Sequence, residues 1–113
     1  KDRIDAARGL PTQATAVHAG DPYLIINPLV KDSVRWKGQK VNLSITEIRI
    51  VAKLVSNLNQ HVRFETLFDV IGSGKNKQNL RVHIRGIRSA FREIDPEFRR
   101  LTNVQLVGYS WIV

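Results

Sequence analysis

A chain of 113 residues with 42% hydrophobic content is long enough for one domain with a modest core, and its 18 Lys/Arg against 10 Asp/Glu leave a formal net charge of +8. The absence of cysteine excludes disulfides, thiolate zinc sites and cysteine nucleophiles, and suits a reducing cytoplasm. No apolar run approaches the roughly 18–20 residues that span a bilayer, and no charged-then-apolar leader opens the chain, so the expectation is a cytoplasmic protein without membrane attachment.

Residues 1–22, rich in Ala, Gly, Thr and charge without an apolar period, read as an interdomain linker or flexible tail, and 23–113 as the folded domain. The run YLIIN (23–27) is a short β-type stretch ended by the turn signal Asn27-Pro28. SVRW (33–36) and QKVNL (39–43) alternate apolar with polar residues around Lys37-Gly38, as half-buried hairpin strands do. An antiparallel sheet is therefore expected first.

The period then changes. Ser44 and Glu47 have the S-x-x-E spacing of a capping box, and Ile48, Val51, Leu54, Val55 and Leu58 follow at three- and four-residue intervals. FETLFDVI (64–71) repeats that spacing through Phe64, Leu67, Phe68 and Ile71, and Gly72-Ser73-Gly74 breaks the chain. A third helix, about 77–94, places Leu80, Ile84, Ile87 and Phe91 on one seam and stops at Asp95-Pro96. RRLTNVQLVGYSWIV (99–113) closes as two β-rich runs around Val107-Gly108. Sheet, helices and closing hairpin make an α+β domain.

The charge is concentrated in the third helix. Lys75 to Arg92 holds six Lys/Arg and no Asp/Glu, leaving 12 and 10 for the rest of the chain. At ~100° per residue, Arg81, Arg85, Arg88 and Arg92 fall within about 60° of one another, roughly 90° from the apolar seam. Gln78, Val82, Gly86 and Ser89 extend the exposed side. A cationic stripe is often only a solvated face, but such faces usually mix signs, because i,i+4 Glu–Lys pairs support the helix. Five turns without an acid instead mark a polyanion partner, and a major groove accepts a helix with arginines toward phosphate or guanine and amides toward base edges. Lys77, Gln78 and Asn79 add donors at the positive end of the helix dipole. Gly86, mid-helix at a cost of about 1 kcal/mol relative to alanine, fits either close approach of a second molecule or tight packing on a neighbouring helix.

Order and motifs together resemble the DNA-binding effector domain of OmpR/PhoB-type two-component response regulators. Trp36 and VNLSITE (41–47) are similar to the family's V-x-L-T-x-x-E region, VRFETLFDVI to its second helix, LRVHIRGIRSAF to its recognition helix and TNVQLVGYSWIV to its closing hairpin. The resemblance spans about residues 23–113 and implies a winged helix-turn-helix with an N-terminal antiparallel sheet, three helices and a C-terminal β-hairpin wing. It implies a recognition helix (about 77–94) in the major groove of double-stranded DNA and a wing (about 101–113) on the minor groove or backbone. The DNA-binding residues expected are Lys77, Gln78, Asn79, Arg81, His83, Arg85 and Arg88 on the helix and Asn103, Gln105 and Tyr109 on the wing. It further implies dimers on tandem promoter half-sites, RNA polymerase contact through the 72–77 loop, and an upstream receiver domain served by a sensor kinase. Gly86 stands where the family often has arginine, and Gln105-Leu106 where Arg-Gly is common, which implies a shallower wing.

No cofactor, metal site or enzymatic constellation is expected. His18, His61 and His83 are not spaced to share a metal. His83 is suited equally to a phosphate contact and to hydrogen-bonded packing at the core edge. Gly72-Ser73-Gly74-Lys75 lacks the spacing of a phosphate loop, and Trp36 and Trp111 read as core residues. One rival is a winged helix that docks an acidic protein. RNA binding is disfavoured, since single-strand readers present rows of exposed aromatics and Phe91 lies on the core seam.

Overall fold

The computed structural model describes residues 20–72 and 74–113. Most of the segment expected to be a linker lies outside the described residues, as do His18 and Ser73 of the Gly72–Gly74 turn. The elements in chain order are β1 (Leu24–Ile25), β2 (Arg35–Trp36), β3 (Gln39–Lys40), α1 (Ile45–Val55), β4 (Val62–Arg63), α2 (Phe64–Ile71), α3 (Lys77–Ile94), β5 (Leu101–Val104) and β6 (Gly108–Trp111).

The N-terminal strands form an antiparallel sheet in the order β1-β2-β3. Its tight hairpin pairs Trp36 with Gln39 across Lys37 and Gly38, both at positive φ (52° and 84°), the combination that two-residue hairpins favour. Helix α1 opens with the expected capping box: the Glu47 N–H donates to Ser44 Oγ (3.2 Å) and the Ser44 N–H to Glu47 Oε1 (2.9 Å). Its buried set is wider than one seam, because Ile50 is buried along with Ile48, Val51, Leu54 and Val55. That follows from its position, in contact with α2, α3 and β6 at once. Helices α2 and α3 begin and end where the periodicity places them, and Leu80, Ile84, Ile87 and Phe91 are all buried.

The closing sheet differs from expectation. It has three strands in the order β4-β6-β5, with Val62 paired to Tyr109 and Arg63 to Gly108. Val62 and Arg63, which the resemblance groups with the second helix, form a strand, and the helix starts at Phe64, where the periodicity places it. Two residues are too few to display an alternation, and their partner lies over forty residues further along the chain. Gly108 permits the pairing: a Cβ there would strike the Val62 carbonyl oxygen.

The core gathers around aromatic rings. Trp36 meets Phe91, Phe98 and Trp111 edge-on, with centroids 5.6, 5.3 and 6.3 Å away, while Phe91 and Phe98 stack at 4.6 Å. Both indole N–H groups are satisfied by carboxylates. Trp36 Nε1 donates to Asp95 Oδ2 (3.1 Å), which also meets Lys37 Nζ (3.0 Å), and Trp111 Nε1 donates to Asp21 Oδ2 (2.8 Å). Asp21 is wholly buried and also binds Arg100 Nε (2.9 Å) and the Tyr23 N–H (3.1 Å). A residue allotted by sequence to the linker thus closes the far end of the core.

Candidate nucleic-acid interface

Helix α3 rests on its apolar seam, and its next face turns toward the β5–β6 hairpin. Between them lies a cleft of about 680 Å³ lined by Arg81, Arg85, Arg88, Ser89, Arg92, Glu93, Asn103 and Tyr109. The arginine stripe read from sequence is thus one wall of a groove, with Asn103 of the hairpin facing it. Among the described residues, no carboxylate pairs with Arg81, Arg85, Arg88 or Arg92. Glu93 is the single acid in the lining. A second, smaller cleft of about 200 Å³ joins it at Arg81, Asn103 and Tyr109 and is edged by Phe64, Lys77, Gln105 and Leu106.

Arg81, Arg85, Arg92, Gln78, Asn103 and Gln105 are exposed. Lys77 is exposed as well, with Nζ 4.8 Å from the centre of the Phe64 ring, a cation–π contact that steadies it at the cleft edge. Asn79 is half-buried and turned back, donating from Nδ2 to the Gly74 carbonyl (2.9 Å). Its own N–H donates to Oδ1 of Asn76 (2.8 Å), which caps α3. His83 is half-buried at the core edge.

Arg88 and Tyr109 sit differently from their neighbours. Arg88 is half-buried, and Nη2 donates to the Leu101 carbonyl (3.2 Å), tying α3 to the first residue of β5. Loss of water around the guanidinium, with Arg92 nearby, lowers its pKa, opposed by Tyr109; it stays charged at any physiological pH. Tyr109, expected on the reaching face of the hairpin, is only 6% exposed. Its ring packs edge-on against Phe64 at 6.0 Å and forms the cleft floor, because β6 is the central strand of its sheet and all four of its residues are buried.

The set of DNA-binding residues expected from sequence leaves out Ser89 and Arg92, although the helical period puts both on the exposed side of the helix, and leaves out Leu106. Arg92 continues the register of Arg81, Arg85 and Arg88, a signal that was present. Leu106 is 85% exposed at the hairpin tip with φ 67°, a left-handed conformation that costs a non-glycine residue ~1–2 kcal/mol. The alternatives for Gly86 are now distinguishable: a Cβ there would strike Oε2 of Glu47, so the glycine admits the capping carboxylate of α1 against α3. Among the described residues no cluster of His, Asp or Glu is arranged to hold a metal, and no helix is long and apolar enough to cross a membrane.

Residues 38–111 match the family model described as "Transcriptional regulatory protein, C terminal". No curated protein sequence matches the chain. Among solved structures, the DNA-binding domain of CpxR from E. coli superposes with a TM-score of 0.67 at 22% identity, covering 80% of this chain and 90% of that one. The Klebsiella pneumoniae RstA DNA-binding domain, solved in complex with the RstA box, gives 0.68 at 20% identity over 86% and 96% of the two chains. The Thermotoga maritima response regulator DrrB, an OmpR/PhoB homologue, gives 0.68 at 21% identity over 88% of this chain and 45% of that one. These likenesses establish the fold, a winged helix with α3 as its third helix and β5–β6 as its wing. The family match over most of the domain places this chain in the family described as transcriptional regulatory protein, C terminal.

Proposed function

We propose that this domain binds double-stranded DNA in a sequence-dependent way, as the effector of a bacterial two-component transcriptional regulator, with α3 in the major groove. The observation that carries the reading is the cleft. Four arginines of one helix line an open groove with no described carboxylate paired to them, an arrangement suited to phosphate oxygens. The RstA domain, of the same fold, was solved bound to its DNA box.

In this reading Arg85, with Gln78, Val82 and Ser89, faces base edges, while Lys77, Arg81, Arg88 and Arg92 hold phosphates. His83 and the second Nδ2–H of Asn79 serve the phosphate backbone near the helix start. Asn103 and Gln105 act from the wing, and Tyr109 supports the cleft from below. One helix and one wing cover too little sequence for genomic specificity, so two copies occupy half-sites about one turn apart, ~10–11 bp. Contact of the 72–77 loop with RNA polymerase, an upstream receiver domain controlled by a sensor kinase, and a cytoplasmic location complete the proposal.

Selection of bound sites from random duplexes tests it. The expected result is a tandem motif bound with a log-affinity versus log-salt slope of several units, about −0.9 for each phosphate neutralised. A flat salt response, or equal affinity for an acidic polypeptide, would instead favour the protein-docking alternative.

A further inference from the structure

The face of α1 turned away from the core carries charge of one sign only. Arg49 and Lys53 are both exposed, and among the described residues neither is paired with a carboxylate. They stand four residues apart, so they repel each other across one turn of the helix. Glu47, the one acid of α1, is held by the capping box, and the sequence has no further Asp or Glu until Glu65. Between these cations and the neighbouring loop lies a cleft of about 450 Å³, lined by Pro28, Arg49, Ala52, Lys53, Ser56 and Val70. Its surface is mostly apolar and includes no acid. Beyond Pro28 the loop bares Leu29 (91% exposed) and Val30 (48%). That loop is pinned: the Leu29 N–H donates to Asn27 Oδ1 (3.0 Å), and Ser33 Oγ donates to the Asn27 carbonyl (2.8 Å).

This cleft shares no residue with the arginine-lined one or with the 72–77 loop, so filling one does not fill the other. An exposed apolar surface with a polar rim marks contact with another molecule, and the charge of the rim selects which. A second copy of this chain, at +8, is disfavoured by repulsion. A nucleic acid would pair with the cations but leave the apolar lining unused. We propose that the cleft is a docking site for an acidic amphipathic helix of a partner protein. The apolar stripe of that helix enters between the 28–30 loop, α1 and Val70 of α2, and its carboxylates meet Arg49 and Lys53. An interface of this extent belongs to the small, transient class. The proposal goes beyond DNA binding and does not depend on it: it gives the domain a second surface, addressed separately from α3.

The probe is a synthetic peptide of glutamate and alanine with leucines at i, i+3, i+4 and i+7, about 18 residues long so that it is helical. Because any polyanion can also settle on α3, the titration is run on the unaltered chain and on the triple variant Arg81→Ala, Arg85→Ala, Arg92→Ala. Amide shifts in NMR spectra should cluster at Val30, Arg49, Ala52, Lys53 and Val70 in both. Arg49→Glu should weaken the peptide about fivefold. The same substitution puts a glutamate four residues before Lys53, so the melting temperature should hold or rise and the loss cannot come from unfolding. Ala52→Gln, which fills the cleft with a good helix former, should weaken it as well. A peptide with serine for leucine, or with lysine for glutamate, should not bind. Absence of binding, shifts that follow α3 and vanish in the triple variant, or equal binding of either control peptide would overturn the proposal. None of these outcomes bears on the DNA reading, since no duplex enters the measurement.

Discussion

Arg85 and Arg88 lie three residues apart on one stripe, yet their surroundings assign them different work. Arg85 is exposed, and no described carboxylate pairs with it, so Arg85→Ala should leave folding stability within about 0.5 kcal/mol. On the selected duplex it should cost about 1–3 kcal/mol and relax preference at one base pair. Arg88 spends one N–H on the Leu101 carbonyl at 3.2 Å and is half-buried between α3 and β5. A hydrogen bond from a charged donor contributes ~1.5–3 kcal/mol when desolvated; half in water, it should contribute about 1 kcal/mol here. Arg88→Ala should therefore lower the melting temperature by about 4–8 °C, the shift expected for that loss in a domain of this size. Its remaining donors face the cleft, so the same variant should weaken selected and scrambled duplexes alike and reduce the salt slope by about one unit. Titrations of both variants on both duplexes at three salt concentrations, with thermal melts, decide the matter. If Arg88→Ala keeps its melting temperature and loses only specificity, while Arg85→Ala loses affinity equally on both duplexes, the rotation assigned to α3 in the groove is wrong.

Asp21→Ala should destabilise the domain by about 2–3 kcal/mol by chemical denaturation, since it leaves the buried Trp111 Nε1 without an acceptor and unpairs the partly exposed Arg100, and retained stability would mean that those donors find other partners. The Asp95 carboxyl is held below its usual range by hydrogen bonds from Lys37 first and Trp36 second, against a smaller opposing effect of burial. A depressed carboxylate stabilises the fold above its unfolded pKa of about 4 and loses that contribution as pH falls through the lower folded value. Asp95→Asn should accordingly flatten the fall in melting temperature on acidification below about pH 4, and an unchanged acid profile would exclude Asp95 as its source. Gly86→Ala should bring little net gain in the unaltered chain, because the new Cβ displaces Glu47 from the capping box, but about 1 kcal/mol where Glu47 is already alanine. Additive effects in that double-mutant cycle would deny the coupling. Gly108→Ala should cost 2 kcal/mol or more, on the order of severe overpacking, by forcing β4 from β6 at the Val62 carbonyl, detected as early exchange of the Phe64 amide, which donates to the Val107 carbonyl.

The helices were legible from sequence because their signals are local. The S-x-x-E box, the three- and four-residue spacing and the stop at Asp95-Pro96 all act within a turn or two, and α2 and α3 run between the residues that spacing marks. The arginine stripe was legible for the same reason, since its angular position follows from the helical period and its distance from the Leu80–Phe91 seam. What stands across from the stripe was not. That Val62 and Arg63 are a strand, that Tyr109 is a floor and that Arg88 ties helix to hairpin depend on β6 lying between β4 and β5. The burial of Asp21 depends on Trp111, ninety positions away. Gly86 was visible as an anomaly with two explanations, and only the placement of α1 against α3 chose between them. A helical period reports which face of an element is apolar; which polar atoms the opposite face meets is set by elements distant in the chain, whose spacing leaves no trace in local sequence.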